Sequence, residues 1–217
     1  MQIEVFSDVV CPWCFVGKRR LEQALETAGY ANRARVTWRP FELNPTMPKS
    51  GMDRRAYLDA KFGGKEGRRE IEERLTNAGE AEGIVFAFDR IERTPNTFDA
   101  HRLIWFAGQQ GCQDEVAEAL FHSYFTKGRE IGSLNSLVEI ASDSGINREE
   151  AERFLASDQA VQEVRAEEAT GHRLGIRGVP YVVLNGSLSI SGAQPPDIFV
   201  SALLQAEKTV MERKERA

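Results

Sequence analysis

The stretch SDVVCPWC, residues 7–14, decides the fold that this sequence predicts. It joins a short run of alternating apolar and polar residues, 3–6, to a segment with helical periodicity. The helix is predicted to begin at Cys11, because Pro12 then takes the first helical position, where its missing N–H costs nothing. Gly29 is a plausible end of this helix.

A second strand is predicted at residues 35–43, with Pro40 placing it near a sheet edge or a bulge. From about residue 45 to residue 173 the apolar residues recur with helical spacing, and a glycine-rich break at 63–67 separates two helices. The chain therefore begins β-α-β and continues as a long helical block.

After this block the pattern returns to strands. Apolar residues 179–184 lead into Asn185-Gly186, a strong signal for a type I′ hairpin, and residues 187–191 form the returning strand. A last helix follows the two prolines at 195–196. This order predicts an α/β, thioredoxin-like fold with a large all-helical insertion. Residues 1–45 and 174–217 would form the thioredoxin-like domain, and residues 46–173 the insertion domain.

Composition excludes several classes of protein. The 217 residues carry a formal net charge of -5, which does not favour a nucleic-acid partner. No apolar run approaches the roughly 20 residues that span a bilayer, so no membrane association is expected. Nothing at the N-terminus resembles a targeting signal, which predicts a cytoplasmic protein. Three cysteines are too few for a disulfide scaffold.

The spacing of Cys11 and Cys14 predicts dithiol–disulfide exchange. A cysteine at a helix N-terminus faces free backbone N–H groups and the positive end of the helix dipole, and both favour the thiolate. Only the thiolate attacks disulfides. Cys11 is therefore the predicted nucleophile, and Cys14, one turn later, the predicted resolving thiol. Lys18 either adds positive potential to this helix or is an ordinary solvated lysine.

Two further segments are predicted to contact substrate. Trp13 should be exposed between the cysteines and, with Pro12, form an apolar lip. The Val179–Pro180 bond opens a strand and is predicted to be cis, with the Val179 backbone available to an extended peptide.

The chain resembles the DsbA-like thioredoxin-fold oxidoreductases, and within them the cytoplasmic FrnE-like branch. The matching segments are residues 7–14 with Gly17, 41–45, 96–97, 100–103, 175–180 and 191–194. The resemblance implies a thioredoxin domain with a helical insertion, a cis proline at Pro180 and dithiol–disulfide exchange at Cys11 and Cys14. It also implies that Asn96, Thr97 and His101 line the mouth of the cleft, although His101 by itself suits a packing role.

The expected activity is that of a protein disulfide oxidoreductase or isomerase, acting on protein or small-molecule disulfides and thiols. No tightly bound cofactor is expected. No metal is expected either, because a zinc site would need a second pair of ligands that Cys112 and the three histidines do not supply. Glutathione is the expected co-substrate, if there is one, with its carboxylate at Ser191, Gly192 and Ala193, before the last helix.

Two other functions stay open. Kappa-class glutathione transferases and 2-hydroxychromene-2-carboxylate isomerases belong to the same superfamily, but they typically carry serine where Cys11 stands. A protein-binding adaptor on the same fold is the third possibility. Direction of electron flow, native substrate and oligomeric state do not follow from these residues.

Overall fold

The computed structural model describes residues 1–215. In chain order the elements are β1 (Gln2–Ser7), α1 (Pro12–Thr27), β2 (Arg35–Pro40), β3 (Met52–Asp53), α2 (Arg54–Phe62), α3 (Lys65–Ala81), a 3₁₀ turn (Phe88–Arg90), β4 (Arg93–Thr94), α4 (Phe98–Gln110), α5 (Gln113–Phe125), α6 (Leu134–Asp143), α7 (Arg148–Leu155), α8 (Val161–Arg173), β5 (Tyr181–Leu184), β6 (Leu188–Ser191) and α9 (Pro196–Glu215). No helix in these described residues is long and apolar enough to cross a membrane.

The main sheet has the strand order β2-β1-β5-β6. β2 is parallel to β1, whereas β5 is antiparallel to β1 and β6 is antiparallel to β5. At the centre of the sheet, Val5 pairs with Trp38 on one side and with Val182 on the other. The β-α-β and β-β-α units therefore share one sheet, and the predicted α/β, thioredoxin-like fold is confirmed.

The predicted extension of the second strand to Leu43 is wrong. The pairing between β1 and β2 ends where Ser7 meets Pro40. Beyond it, the backbone N–H of Leu43 donates to Asp8 Oδ2 at 2.7 Å. This side-chain acceptor replaces a strand partner, so the chain leaves the sheet after Pro40.

The outer edge of β2 is closed by a side chain. Gln113 Oε1 accepts from the backbone N–H of Trp38 at 2.9 Å, and Gln113 Nε2 donates to the Trp38 carbonyl oxygen at 3.2 Å. The indole N–H of Trp38 donates to Asp114 Oδ1 at 2.8 Å. The start of α5 thus takes the hydrogen bonds that another strand would otherwise take.

The long segment between β2 and β5 is helical except at one point. Met52 pairs with Thr94, and Asp53 with Arg93, in a two-residue antiparallel ladder. The expectation of an insertion made only of helices is therefore wrong at this ladder, which brings together segments about 40 residues apart. Both β3 and β4 are too short for the alternating pattern that identifies a strand in a sequence.

The hairpin between β5 and β6 follows its turn residues. Asn185 and Gly186 have φ values of 48° and 66°, and a type I′ turn requires positive φ at both central positions. The prediction from Asn185-Gly186 is confirmed.

Candidate functional site

Cys11 is the residue immediately before α1. Its φ and ψ of -93° and 108° are extended, and Pro12 opens the helix. The backbone N–H of Cys11 donates to the Asp8 carbonyl oxygen at 2.9 Å, and its Sγ lies 3.5 Å from the Val179 carbonyl oxygen, to which the thiol donates. The side chain is only 4 % exposed. The sulfur is therefore held between the start of α1 and the segment before β5.

Cys14 lies one turn deeper and is 1 % exposed. Burial raises the pKa of its thiol well above the ordinary value, and the hydrogen bond with Cys11 and the negative charge of Cys11 raise this pKa further. Neither cysteine is in a disulfide in this structure. In the reduced protein near neutral pH, Cys14 is therefore held as the protonated thiol.

The raised pKa of Cys14 predicts that the reduced protein loses stability in alkali. Unfolding returns this thiol to an ordinary pKa of about 8.5, so above that pH the unfolded chain releases a proton that the folded chain keeps. We expect the free energy of unfolding to fall by up to about 1.4 kcal/mol per pH unit from this group alone.

Urea unfolding of the reduced wild type and of Cys14→Ala, between about pH 7 and pH 10, measures this contribution. The difference in unfolding free energy between the two proteins should shrink as the pH rises. If both lose stability in parallel, burial of the Cys14 thiol is not the cause.

The Val179–Pro180 peptide bond is cis, as predicted. Pro180 is buried, and its carbonyl oxygen accepts from the backbone N–H of Gly192 at 2.8 Å. On its other side it packs against α1 at Gly17, where an added Cβ would lie 2.9 Å from Pro180 Cγ and 3.5 Å from the Ala193 Cβ. The absence of a side chain at Gly17 therefore allows Val179 to approach Cys11.

Replacing Gly17 with alanine should both destabilise the protein and slow the reaction of Cys11. The new methyl group meets Pro180, and such overpacking costs about 1–3 kcal/mol, more than the gain of up to about 1 kcal/mol in helix propensity. Moving Pro180 also moves the Val179 carbonyl away from the sulfur.

Urea unfolding and the rate of Cys11 alkylation test this prediction. Gly79→Ala in α3 is the matched control, because its new methyl group lies 2.5 Å from Phe86 Cε2 and neither residue lines the cavity, so it should cost stability without slowing the alkylation of Cys11. Equal effects of the two substitutions would show that the contact between Gly17 and Pro180 does not position Cys11.

A cavity of about 270 Å³ opens beside Cys11. Its walls come from the start of α1, residues 43–47 and helices α2 and α3. Residues 94–95 and 97, the end of α5 and residues 178–179 complete them. Most of the side chains that line it are apolar, among them Leu43, Met47 and Leu75. The Cys11 sulfur therefore lies beside a mostly apolar space.

Trp13 lines this cavity together with Pro12. The expectation that Trp13 is exposed is wrong, because its side chain is half-buried and packs against the core. The space that the indole faces is covered by α2 and α3, which belong to the inserted segment. Val179 is likewise half-buried and lines the cavity.

Thr97, Asn96 and His101 are in three different environments. Thr97 is buried and lines the cavity. Asn96 instead holds the backbone, since its Nδ2 donates to the Met47 carbonyl oxygen at 2.8 Å and its Oδ1 accepts from the Phe98 N–H at 3.0 Å. His101 is 3 % exposed and does not line the cavity. The expectation that all three line the mouth of the cleft therefore agrees with the position of Thr97 alone.

His101 faces a buried carboxylate that sequence reasoning missed. Its Nε2 lies 3.4 Å from Oδ1 of Asp8, which is 1 % exposed. Neither atom has a hydrogen-bond partner within residues 1–215. Because the backbone of Asp8 is hydrogen-bonded to that of Cys11, two ionisable groups are buried close to Cys11. In the sequence, Asp8 lies between the first predicted strand and Cys11, and no pattern there indicates a buried carboxylate.

Lys18 is neither solvated nor an unpaired cation. It is 4 % exposed, and its Nζ contacts Glu22, Asp114 at 3.0 Å and Glu118 at 3.3 Å. Burial alone would lower the pKa of Lys18, but the charges of Asp114 and Glu22 outweigh it and raise this pKa. Lys18 therefore joins α1 to α5, and the neighbouring carboxylates balance its charge.

Ser191, Gly192 and Ala193 lie beside Pro180 but do not line the cavity. The Ala193 carbonyl oxygen accepts from Arg20 Nη1 at 2.7 Å, and the Ser191 carbonyl oxygen accepts from Gln194 at 2.9 Å. These bonds fix the loop before α9. The structure thus separates this candidate glutathione segment from the space in front of Cys11.

One face of α2 covers the cavity, and sequence reasoning did not identify it. Arg54, Tyr57, Leu58 and Lys61 line the space, at the spacing i, i+3, i+4 and i+7 of one helical face. This spacing could have revealed the face but not its position over Cys11. Within the described residues, no group of three or more His, Cys, Asp or Glu side chains is arranged to hold a metal ion.

Comparison with known proteins adds three findings. The sequence model of the DsbA-like thioredoxin domain matches residues 2–204. The crystal structure of a probable DsbA oxidoreductase from Streptomyces coelicolor is 35 % identical, with a TM-score of 0.90 over 96 % of this chain and 90 % of that one. An uncharacterised protein of Bacillus subtilis, YwbO, is 26 % identical over 96 % of this chain and 98 % of its own length.

A more distant structure has the same fold. The cytosolic disulfide reductase DsbM from Pseudomonas aeruginosa is 16 % identical, with a TM-score of 0.66 and full coverage of both chains. The same protein has also been solved with GSH.

Proposed function

We propose that this chain, which belongs to the DsbA-like thioredoxin domain family, is a thiol–disulfide oxidoreductase that works through Cys11 and Cys14. One observation carries the proposal. The Cys11 sulfur lies at the start of α1, in contact with the Val179 carbonyl oxygen and with the buried Cys14 thiol. Two cysteines at this spacing at the start of a helix form the Cys-X-X-Cys arrangement of thiol–disulfide exchange.

In the proposed reaction, the Cys11 thiolate attacks one sulfur of a substrate disulfide. A mixed disulfide forms, and the other substrate sulfur leaves as a thiolate and takes up a proton. Cys14 then loses its proton and attacks the Cys11 sulfur, which releases the second substrate thiol and leaves a Cys11–Cys14 disulfide. The substrate gains two electrons and the protein loses two. The reverse sequence oxidises a dithiol substrate.

The high pKa of Cys14 gives the two thiols different roles. A buried thiol that keeps its proton does not compete with Cys11 for the incoming disulfide. Burial is the main cause of the raised pKa of Cys14, and the Cys11 charge adds to it. Formation of the mixed disulfide removes that charge, so Cys14 loses its proton more easily at the second step. Burial of the Cys14 thiol therefore favours attack by Cys11 first and attack by Cys14 second.

Pro12, Trp13, Thr97 and Val179 are the proposed substrate contacts, because all four line the cavity at Cys11. Pro180 is proposed to position Val179. We also propose that the protein works in the cytoplasm and exchanges electrons with glutathione. The cytosolic reductase of similar fold was solved with GSH, and this is the reason to test glutathione first.

A redox titration of the purified protein against glutathione tests the proposed function. The Cys11–Cys14 state is read by thiol trapping and by Trp13 fluorescence, with Cys14→Ser measured in parallel. We expect a reversible two-electron transition in the wild type and none in Cys14→Ser. The measured midpoint potential distinguishes an oxidant from a reductant, since about 30 mV corresponds to a tenfold change in the equilibrium constant.

The absence of this transition would contradict the proposal. Activity with glutathione and an electrophile that needs Cys11 but not Cys14 would instead indicate a glutathione-dependent transferase or isomerase. Full function in the cell with both cysteines replaced by serine would indicate a protein-binding adaptor.

A further inference from the structure

We infer that the cavity beside Cys11 selects disulfides and thiols that carry a neutral, ring-sized apolar group, in preference to glutathione. The inference rests on the proposed function and names the substrate class of the same site. The ring would occupy the cavity, and its sulfur would lie at Cys11.

The size and the lining of the cavity carry this inference. Its volume is about 270 Å³, whereas a dry apolar cavity of about 150 Å³ holds a benzene molecule. One aromatic ring with its sulfur therefore fits, with room for a substituent. The apolar wall comes from the inserted helices as well as from α1: α2 and α3 contribute Leu58, Ile71 and Leu75, and α1 contributes Trp13.

Of the four charged side chains in the wall, Arg54 and Glu72 are paired with each other and Asp8 faces His101. Lys61 is exposed, with its Nζ over the Tyr57 and Phe62 rings. Arg54 is 7 % exposed, and its Nη1 donates to Glu72 Oε1 at 2.6 Å. Its guanidinium also lies 5.0 Å from the centre of the Phe88 ring. The pair has no net charge, so it does not compensate a ligand that brings several charges of its own into the cavity.

Glutathione does not suit this space. It carries two carboxylates and an ammonium group. The exposed Lys61 can pair with one carboxylate, but transfer of the remaining charges from water into the apolar cavity is unfavourable without partners. Cys11 is therefore expected to react with glutathione disulfide from the open side, with the peptide in solvent. An aromatic disulfide reacts with Cys11 in the same way, but its ring is also buried in the cavity while the Cys11–substrate bond forms. This burial lowers the free energy of the reacting complex.

Rates of exchange measure the preference. Reduced protein is mixed with dithiodipyridine or with glutathione disulfide, and each second-order rate constant is divided by that of N-acetylcysteine with the same disulfide. This division removes the intrinsic difference between the two leaving groups. Burial of one ring predicts a normalised preference for dithiodipyridine of roughly tenfold to hundredfold.

A matched pair of variants locates the preference. Leu58→Trp fills the cavity from α2, whereas Ala60→Trp places the same side chain on an exposed position of α2 outside the cavity. We expect Leu58→Trp to remove most of the normalised preference for dithiodipyridine. Ala60→Trp should keep both rate constants.

A non-reactive analogue separates binding from chemistry. Dipyridylethane has carbon in place of both sulfurs, and calorimetry should show that it binds the wild type and Ala60→Trp but not Leu58→Trp. Equal normalised rates for the two disulfides, or a preference that survives in Leu58→Trp, would overturn the inference. Binding of dipyridylethane without exchange at Cys11 would overturn the oxidoreductase proposal but leave the cavity as a site for rings.

Discussion

Replacement of Cys11 by serine is expected to abolish disulfide exchange. A hydroxyl group is not ionised near neutral pH, and Cys14 cannot substitute for the missing sulfur because it is 1 % exposed and its pKa is raised. Loss of the nucleophile should lower the rate by at least about 10³-fold. Reduction of a fluorescent disulfide peptide by the purified variants, with thiol trapping in parallel, measures this loss.

Cys14→Ser should fail at a different step. Cys11 still attacks, but no second thiol releases the substrate, so a stable mixed disulfide should accumulate and be visible by mass spectrometry. Cys112→Ser is the matched control. Cys112 precedes α5, is half-buried and does not line the cavity, so its replacement should leave the rate unchanged. Wild-type turnover by Cys14→Ser would contradict the two-thiol mechanism.

The sequence predicts most reliably the local structures that depend only on residues adjacent in the chain. Pro12 places the start of α1 directly after Cys11, and Asn185-Gly186 predicts a turn that needs positive φ at two positions. Both features depend only on adjacent residues, and the structure confirms both. The cis bond before Pro180 was predicted from its place before a hairpin in a chain with a CxxC pair.

The cavity could not be predicted in this way. Its walls come from segments that are far apart in the sequence, and only packing brings them together. The apolar pattern of α2 indicates a helix with a buried face but not the partner of that face. For the same reason Trp13 was expected in solvent. The burial of Lys18 could not be predicted either, because its partners Asp114 and Glu118 lie about 100 residues away in the sequence.

The division into two domains stays a prediction. Phe15 in α1 stacks on Phe121 in α5, with ring centroids 5.4 Å apart, although the proposed boundaries put these residues in different domains. The buried core is continuous from β1 through α1 to the inserted helices. We propose the boundaries at residues 45 and 174, which lie between the end of β2 at Pro40 and the start of β5 at Tyr181.

The largest loss of stability is expected from Arg102→Met. Arg102 is 3 % exposed, and its guanidinium donates to the carbonyl oxygens of Phe154, Ser157 and Gln159 at 3.1, 2.5 and 2.9 Å. It also donates to the Leu155 carbonyl oxygen at 3.3 Å. These acceptors lie at and after the end of α7, where helical carbonyl groups lack partners within the helix. Methionine fills most of the volume but donates no hydrogen bond.

We expect this change to cost about 3–5 kcal/mol, because several buried carbonyl groups lose their donor together. The melting temperature should fall by roughly 10 °C for a chain of this size. Arg129→Met is the matched control: Arg129 pairs with Glu139 at the surface, and such pairs contribute at most about 1 kcal/mol. Since Arg102 does not line the cavity, folded Arg102→Met should keep the wild-type reactivity of Cys11. Equal destabilisation by the two substitutions would show that the carbonyl groups after α7 do not depend on Arg102.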